Sequence, residues 1–185
     1  MRKNLFLAIV ICFFVVVNSS AQTQSFTQND NVVSVGVGFG GILYSGSLYT
    51  GAGYSHLPTF TLSYERCIIG NLFNDQSSLG VGGLVGYTSS RIKDYWTSTD
   101  LMIGARGSFH YAFVDNLDTY AGIMLGYNIN TWKWHGSYLG TTSGSSSFTY
   151  TAFVGARYYF ANSIAAFAEL GYGYSLANIG LSFKF

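Results

Sequence analysis

The chain has 185 residues, of which 9% are charged and 18% are aromatic, and it contains 23 glycines. This composition is unusual for a water-soluble domain, because so many aromatic side chains need a surrounding other than water. The length allows one domain, and a formal net charge of +1 gives no support for nucleic-acid binding through a basic surface.

The first 21 residues read as a signal peptide for secretion that is later cleaved. Arg2 and Lys3 supply positive charge, residues 5–17 form an apolar run, and Ala21 ends a group of small residues that suits cleavage. The run is too short for a membrane-spanning helix. Nine basic residues less these two leave seven against eight acidic ones, so the mature chain has a net charge of −1. Residues 22–31 are then predicted to form a short periplasmic segment.

From residue 32 onward, apolar or aromatic residues occupy every second position in eight segments separated by turn-forming stretches. Each segment has roughly 9 to 15 residues, which is enough for a tilted strand that crosses a bilayer. The pattern predicts an all-β fold. The eight predicted strands are 32–40, 59–69, 78–88, 99–113, 119–129, 148–160, 164–174 and 178–185.

Residues 32–185 are therefore predicted to form an eight-stranded antiparallel up-and-down transmembrane β-barrel. In hydrocarbon every backbone donor and acceptor needs a partner, so the first strand must pair with the last. A soluble eight-stranded sandwich is the alternative. The signal peptide, the glycine-rich faces opposite the apolar ones and the tyrosines near strand ends on the apolar side oppose it. These tyrosines are Tyr64, Tyr87, Tyr111, Tyr127, Tyr158, Tyr172 and Tyr174.

The C-terminal strand carries a further pattern. Asn178, Gly180, Phe183 and Phe185 resemble the C-terminal signal by which outer-membrane barrels are recognised for insertion, which implies contact with the barrel-assembly machinery. In strand pattern and in this signal, residues 32–185 resemble the small eight-stranded outer-membrane proteins of the OmpA and OmpX type. We expect a monomer in the cell outer membrane, in contact with its lipid and lipopolysaccharide.

Alternation also assigns a set of charges to the barrel lumen. Eight strands leave room for side chains only, so the lumen is expected to be packed. Arg157 and Glu169 are predicted to be neighbours on adjacent strands, with Lys184 within reach of Glu169, and Cys67 to be a small buried group at the periplasmic mouth. We expect a structural ion network, a proton or ion path being the alternative. The predicted lumen residues are Glu65, Arg106, His110, Arg157, Glu169 and Lys184.

The predicted outer connections, 41–58, 89–98, 130–147 and 175–177, offer surface contacts. Their aromatic residues could bind a surface protein or a glycan, or could extend the interface girdle. In the OmpX type, strands that protrude past the membrane expose an edge, which resembles a site for strand addition by partner proteins. The candidate contacts are Tyr49, Tyr54, Trp132, Trp134, His135 and Tyr138.

Enzymatic chemistry has little support in the sequence. Lipid A deacylases use a His-x-Ser pair with a following glutamate at the outer rim. His135 and Ser137 resemble the pair, but no glutamate follows until Glu169, which is assigned to the lumen. No spacing predicts a metal or cofactor site. The sequence therefore predicts a non-enzymatic outer-membrane barrel with a structural or surface-interaction role, an outer-rim lipid-modifying enzyme and a narrow solute or ion channel being the alternatives.

Overall fold

The computed structural model describes residues 26–41, 54–92, 96–134 and 142–185, and these residues contain strands and turns but no helix. The strands are β1 Asn31–Phe39, β2 Tyr54–His56, β3 Thr59–Gly70, β4 Ser77–Ile92, β5 Trp96–Val114, β6 Leu117–Trp134, β7 Thr142–Ala161, β8 Ile164–Tyr172 and β9 Ala177–Lys184.

Eight of the strands form a closed antiparallel ring. Each strand from β3 to β9 pairs with the next, and β1 pairs with both β3 and β9. The short β2 pairs with β4 just beyond the end of β3. Pro58 lies between β2 and β3, where a residue without an N–H interrupts the hydrogen-bond ladder. The predicted all-β fold and the pairing of the first strand with the last are confirmed.

The outward face of the ring is apolar. One register row runs across seven strands and carries only large apolar or aromatic side chains, each between 41% and 67% exposed. In spatial order the row is Leu181, Val35, Leu62, Val85, Ile103, Tyr127 and Phe148. An exposed girdle of this kind is costly in water and suits hydrocarbon.

The two ends of the ring differ. Short turns at 71–76, 115–116 and 162–163 lie at one end, which we call the turn end. At the opposite end, the outer end, β4 to β7 extend past the neighbouring strands and form a raised wall. Much of the predicted outer connections 89–98 and 130–147 is therefore strand, which corrects the sequence-based boundaries.

Tyr174 does not lie on the outward face, as the alternation predicted. Gly173, with φ +134°, breaks the strand pattern after β8, and the Tyr174 side chain turns into the barrel, where it is buried. The other predicted girdle tyrosines stay outside, with Tyr111 half-buried and the rest exposed.

Candidate functional site: the filled lumen and the raised wall

The turn half of the lumen holds four ionisable side chains in mutual contact, which we call the lower cluster. His110 of β5 lies between two carboxylates, with Nδ1 2.8 Å from Asp118 Oδ1 and Nε2 3.1 Å from Glu65 Oε1. Arg157 of β7 contacts the other oxygens of both, at 3.2 Å from Asp118 Oδ2 and directly at Glu65 Oε2. Ser108 donates a further hydrogen bond to Glu65. All four ionisable groups are almost fully buried. Because water does not solvate them, their charges are balanced by these contacts with one another.

A second ion pair lies further toward the outer end. Arg106 Nη2 donates to Glu169 Oε2 at 2.9 Å. The hydroxyls of Tyr120 and Tyr174 donate to the two Glu169 oxygens, each at 3.2 Å. The Arg106 guanidinium also lies 4.1 Å from the ring centroid of Phe153, a cation–π contact. Glu169 is thus engaged on both oxygens.

Apolar side chains fill the remaining space. Phe26, Val32 and Cys67 form a buried cluster at the turn end, where the Phe26 ring lies 4.3 Å from that of His110. Cys67 is buried there, as expected from its strand position. A larger buried cluster lies nearer the outer end and consists of Leu84, Met102, Tyr120, Met124, Phe153 and Tyr174. Among the described residues the interior is therefore a packed core rather than an open pore.

Two of the predicted lumen contacts are wrong. Arg157 does not pair with Glu169, because its long side chain reaches across the narrow barrel to Glu65 instead. Lys184 lies 3.6 Å from Asp30 at the turn end. Glu169 pairs in register with Asn178, six residues from Lys184, or roughly 20 Å along the strand, which is too far for contact.

The sequence interpretation missed three of the interior polar residues. Asp118 lies between the predicted strands 99–113 and 119–129, but β6 begins at Leu117 and directs Asp118 inward. Tyr120 shares its face and could have been found by extending that alternation by one position. Asp100 is the second residue of the predicted strand 99–113, so the alternation did not assign it to the interior, whereas β5 begins at Trp96 and continues through it.

The aromatic candidates for surface contacts are distributed differently from the expectation. Trp132 and Trp134 lie on β6, with Trp134 52% exposed. Trp132 packs against Trp96 of β5 in a tilted arrangement, with 4.8 Å between ring centroids. Tyr54 lies in β2. Tyr49, His135, Ser137 and Tyr138 fall outside the described residues.

The residues of the proposed insertion signal close the ring. Phe183 and Phe185 are exposed on the outside, and Phe185 exchanges backbone hydrogen bonds with Asn31 at 2.9 and 3.0 Å. Gly180 faces inward, where an added Cβ would lie 2.6 Å from Gly36 Cα. Asn178 donates to the Tyr174 hydroxyl at 3.2 Å inside the barrel. Their role as a signal remains a prediction.

No described part of the chain forms a helix with the length and apolar character of a membrane span.

Comparison with solved structures gives matches along nearly the whole barrel. Ail, the attachment invasion locus protein of Yersinia pestis, matches with a TM-score of 0.56 at 9% identity, over 85% of this chain and 99% of Ail. The fold is that of the small eight-stranded outer-membrane barrels. The N-terminal β-barrel domain of OprF from Pseudomonas aeruginosa matches with a TM-score of 0.51 at 15% identity, over 86% of this chain and 99% of that domain.

The outer-membrane protein OprG from Pseudomonas aeruginosa matches equally well, with a TM-score of 0.51 at 10% identity, over 88% of this chain and 99% of OprG. The resemblance to the OmpA and OmpX type is confirmed at the level of fold. No protein-family model and no curated protein matches the sequence.

Proposed function

We propose that this chain is a non-enzymatic integral outer-membrane protein, whose filled barrel anchors a raised wall that binds an extended segment of a surface protein. The observation that carries the proposal is the edge of β7 at the outer end. From Thr142 to Thr151 this strand pairs with β6, whereas β8 pairs with it only from Ala152 onward.

Register identifies the β7 groups that face this edge. Tyr159 N–H donates to Asn116 O at 2.8 Å, and these two residues continue the in-register pairs of β6 and β7. Because hydrogen-bonded pairs recur at every second residue, odd-numbered residues of β7 bond to β6. The backbone groups of Gly144, Ser146, Phe148 and Tyr150 therefore point away from β6, toward the edge that no described strand covers.

The composition of this edge favours strand addition. Residues 142–151 are serine, threonine, glycine and aromatic residues. They include no proline and no charged residue, the two kinds of residue that usually block an exposed edge. An extended segment could add to the edge through main-chain hydrogen bonds. A surface protein is thus the partner that the edge supports best, and a glycan contact through Trp132 or Trp134 stays a prediction.

The interior gives no support to the alternatives. The apolar cluster and the two sets of ion pairs fill the lumen, which opposes a narrow channel. Glu169, the glutamate that follows His135 and Ser137 in the sequence, is buried and bonded to Arg106, so it is not available to orient a histidine at an outer rim.

Photo-crosslinking in intact cells tests the proposal. A photoreactive benzoylphenylalanine at Ser146 is expected to give a protein adduct, whereas the same residue at the lipid-facing Ile103 is expected to give none. The same photoreactive residue at Gly144 is also expected to give a protein adduct. This adduct should be lost when Ser146→Pro blocks the edge. Lipid adducts alone at both positions, or a protein adduct that survives Ser146→Pro, would contradict strand addition.

A further inference from the structure

The segment that precedes β1, residues 26–30, is bonded to both strands that flank β1 in the ring. On one side, Asn29 N–H donates to Cys67 O of β3 at 3.1 Å, and Cys67 N–H donates to Asp30 O at 2.9 Å. On the other side, Lys184 Nζ of β9 lies 3.6 Å from Asp30 Oδ2. The segment therefore does not extend away from the barrel but stays at its turn end.

From there the segment crosses β3 toward β4 and enters the lumen. Gln28 lies beside the last residue of β3, since an added Cβ on Gly70 would be 3.1 Å from Gln28 Cβ. Ser78 Oγ of β4 then donates to Phe26 O at 3.1 Å, and the Phe26 side chain is only 1% exposed. The segment thus places one aromatic ring inside the barrel.

The Phe26 ring packs on the lower cluster from the turn end. Its centroid lies 4.3 Å from that of the His110 ring and 5.9 Å from the Arg157 guanidinium carbon, a cation–π distance. Val32 and Cys67 complete its apolar surroundings. Burial of this ring is favourable in itself, and it also separates buried charges from water at the turn end.

Asn29 is the point at which the chain bends into the lumen. Its φ of +73° lies in the left-handed region, which asparagine tolerates better than most residues do. The bend is bonded internally, because Thr27 N–H donates to Asp30 Oδ2 at 2.8 Å and Asp30 N–H donates to Thr27 O at 3.0 Å. These bonds stay within the segment, so the bend keeps its shape when its contacts with the barrel break.

We propose that residues 26–30 form a plug, hinged at Asn29, that closes the turn end of the lumen with the Phe26 ring. In the closed state the ring covers Cys67 and excludes water from the lower cluster. Release of the segment opens the turn half of the lumen to water and small solutes. The inference goes beyond the proposed function and does not depend on it, because that function lies at the outer end.

Cys67 is a natural reporter of the plug, because it is the only cysteine after residue 21 and is buried beside Phe26. Folded protein in detergent micelles is treated with a charged, water-soluble maleimide, and mass spectrometry follows the label on Cys67. Phe26→Ala is expected to react at least about tenfold faster than wild type, because opening of the plug then loses no ring contacts. Phe73→Ala removes an 81% exposed ring at the same end and should react like wild type. Heat-modifiable gel migration checks that each variant is folded.

Two substitutions at Asn29 test the hinge without removing the buried ring. Both remove the 3.5 Å hydrogen bond from Arg66, so they are matched. Glycine adopts a positive φ freely, and Asn29→Gly should therefore keep the slow labelling of wild type. Valine is strongly disfavoured there, so Asn29→Val should label several times faster.

Three results would overturn the plug. The first is a wild-type labelling rate in folded Phe26→Ala, the second is a comparable rise in Phe73→Ala, and the third is an equal rate in Asn29→Gly and Asn29→Val.

Discussion

Glu65 shows how a single carboxylate can be held inside this barrel. It is in contact with Arg157, His110 and Ser108, and none of these groups reaches water to any extent. Buried ion pairs add little net stability because desolvation offsets their attraction, but a buried charge that loses its partner is strongly destabilising. The ion pairs therefore specify which side chains meet in the lumen more than they raise the stability of the fold.

The Arg106–Glu169 pair gives a test of this argument. Glu169→Ala leaves the Arg106 guanidinium buried without its counter-ion and is expected to lower the free energy of unfolding by roughly 3–5 kcal/mol. Urea titration in detergent micelles, followed by tryptophan fluorescence, measures the loss. The matched control is Arg66→Ala, since Arg66 is exposed on the outward face and, among the described residues, donates one long hydrogen bond of 3.5 Å to Asn29. Equal losses in both variants would contradict the assignment of Glu169 to the interior.

At the residue scale, alternation predicted which charges face inward but not which charges meet. The face on which a side chain lies depends only on its position in the alternation along its own strand. Alternation therefore places Glu65 and Arg157 inside, regardless of their neighbours on other strands. Their pairing depends on the reach of an arginine across the narrow lumen, between strands that are distant in sequence. Tyr174 was misplaced because the positive φ of Gly173 changes the direction of the chain after β8.

At the scale of the strands, the packing requires glycine at some positions and leaves room for a larger side chain at others. A Cβ at Gly82 of β4 would collide with the carbonyl oxygen of Tyr64 and lie 2.8 Å from Glu65 Cα, whereas a Cβ at the outward Gly107 of β5 would meet nothing within 4 Å. The close approach of β4 to β3 beside the lower cluster thus depends on Gly82.

Substitution of these two glycines is expected to give different stabilities. Gly82→Ala forces a shift of backbone and should destabilise the barrel by about 1–3 kcal/mol, as overpacking does. Gly107→Ala should change the free energy of unfolding by less than about 0.5 kcal/mol. Thermal unfolding followed by gel migration compares them, and a larger effect at Gly107 would contradict the register of β3 and β4.

The start of β7 shows the largest displacement between a predicted and an observed strand end. The sequence predicted a strand from residue 148, because the serines and glycine of 142–147 show no apolar alternation. In the structure these residues pair with β6 as far as Lys133. Alternation reports contact with a core or with lipid, so it carries no signal where a strand extends beyond both.

Proline substitution distinguishes the two sides of this strand. Ser145→Pro removes an N–H that bonds to β6 and is expected to lower the stability of the β6–β7 pairing by about 1 kcal/mol. Ser146→Pro removes an N–H at the uncovered edge and should leave that pairing intact. Amide hydrogen exchange of residues 126–133 on β6 is the measurement. Faster exchange in Ser146→Pro than in Ser145→Pro would show that the assignment of the edge is reversed.

At the scale of the whole molecule, one closed sheet separates two environments with opposite demands. The outside presents a continuous apolar row across seven strands, and the inside holds ion pairs, tyrosine hydroxyls and a buried apolar cluster. Where all eight strands of the ring pair with both neighbours, closure leaves no backbone edge, as hydrocarbon requires. Period-two alternation predicts the apolar outside, the inward charges and the closure, and the solved structures of Ail, OprF and OprG confirm the fold.

Carbene labelling from a diazirine on lipid acyl chains tests the central claim, that the apolar face lies in the bilayer around a filled lumen. Wild-type protein is reconstituted in vesicles, irradiated and mapped residue by residue by mass spectrometry. On β5 and β6, label is expected at Ile103, Ile123 and Leu125 and absent from Met102 and Met124. Label on the two methionines, or no difference between the two sets, would contradict it.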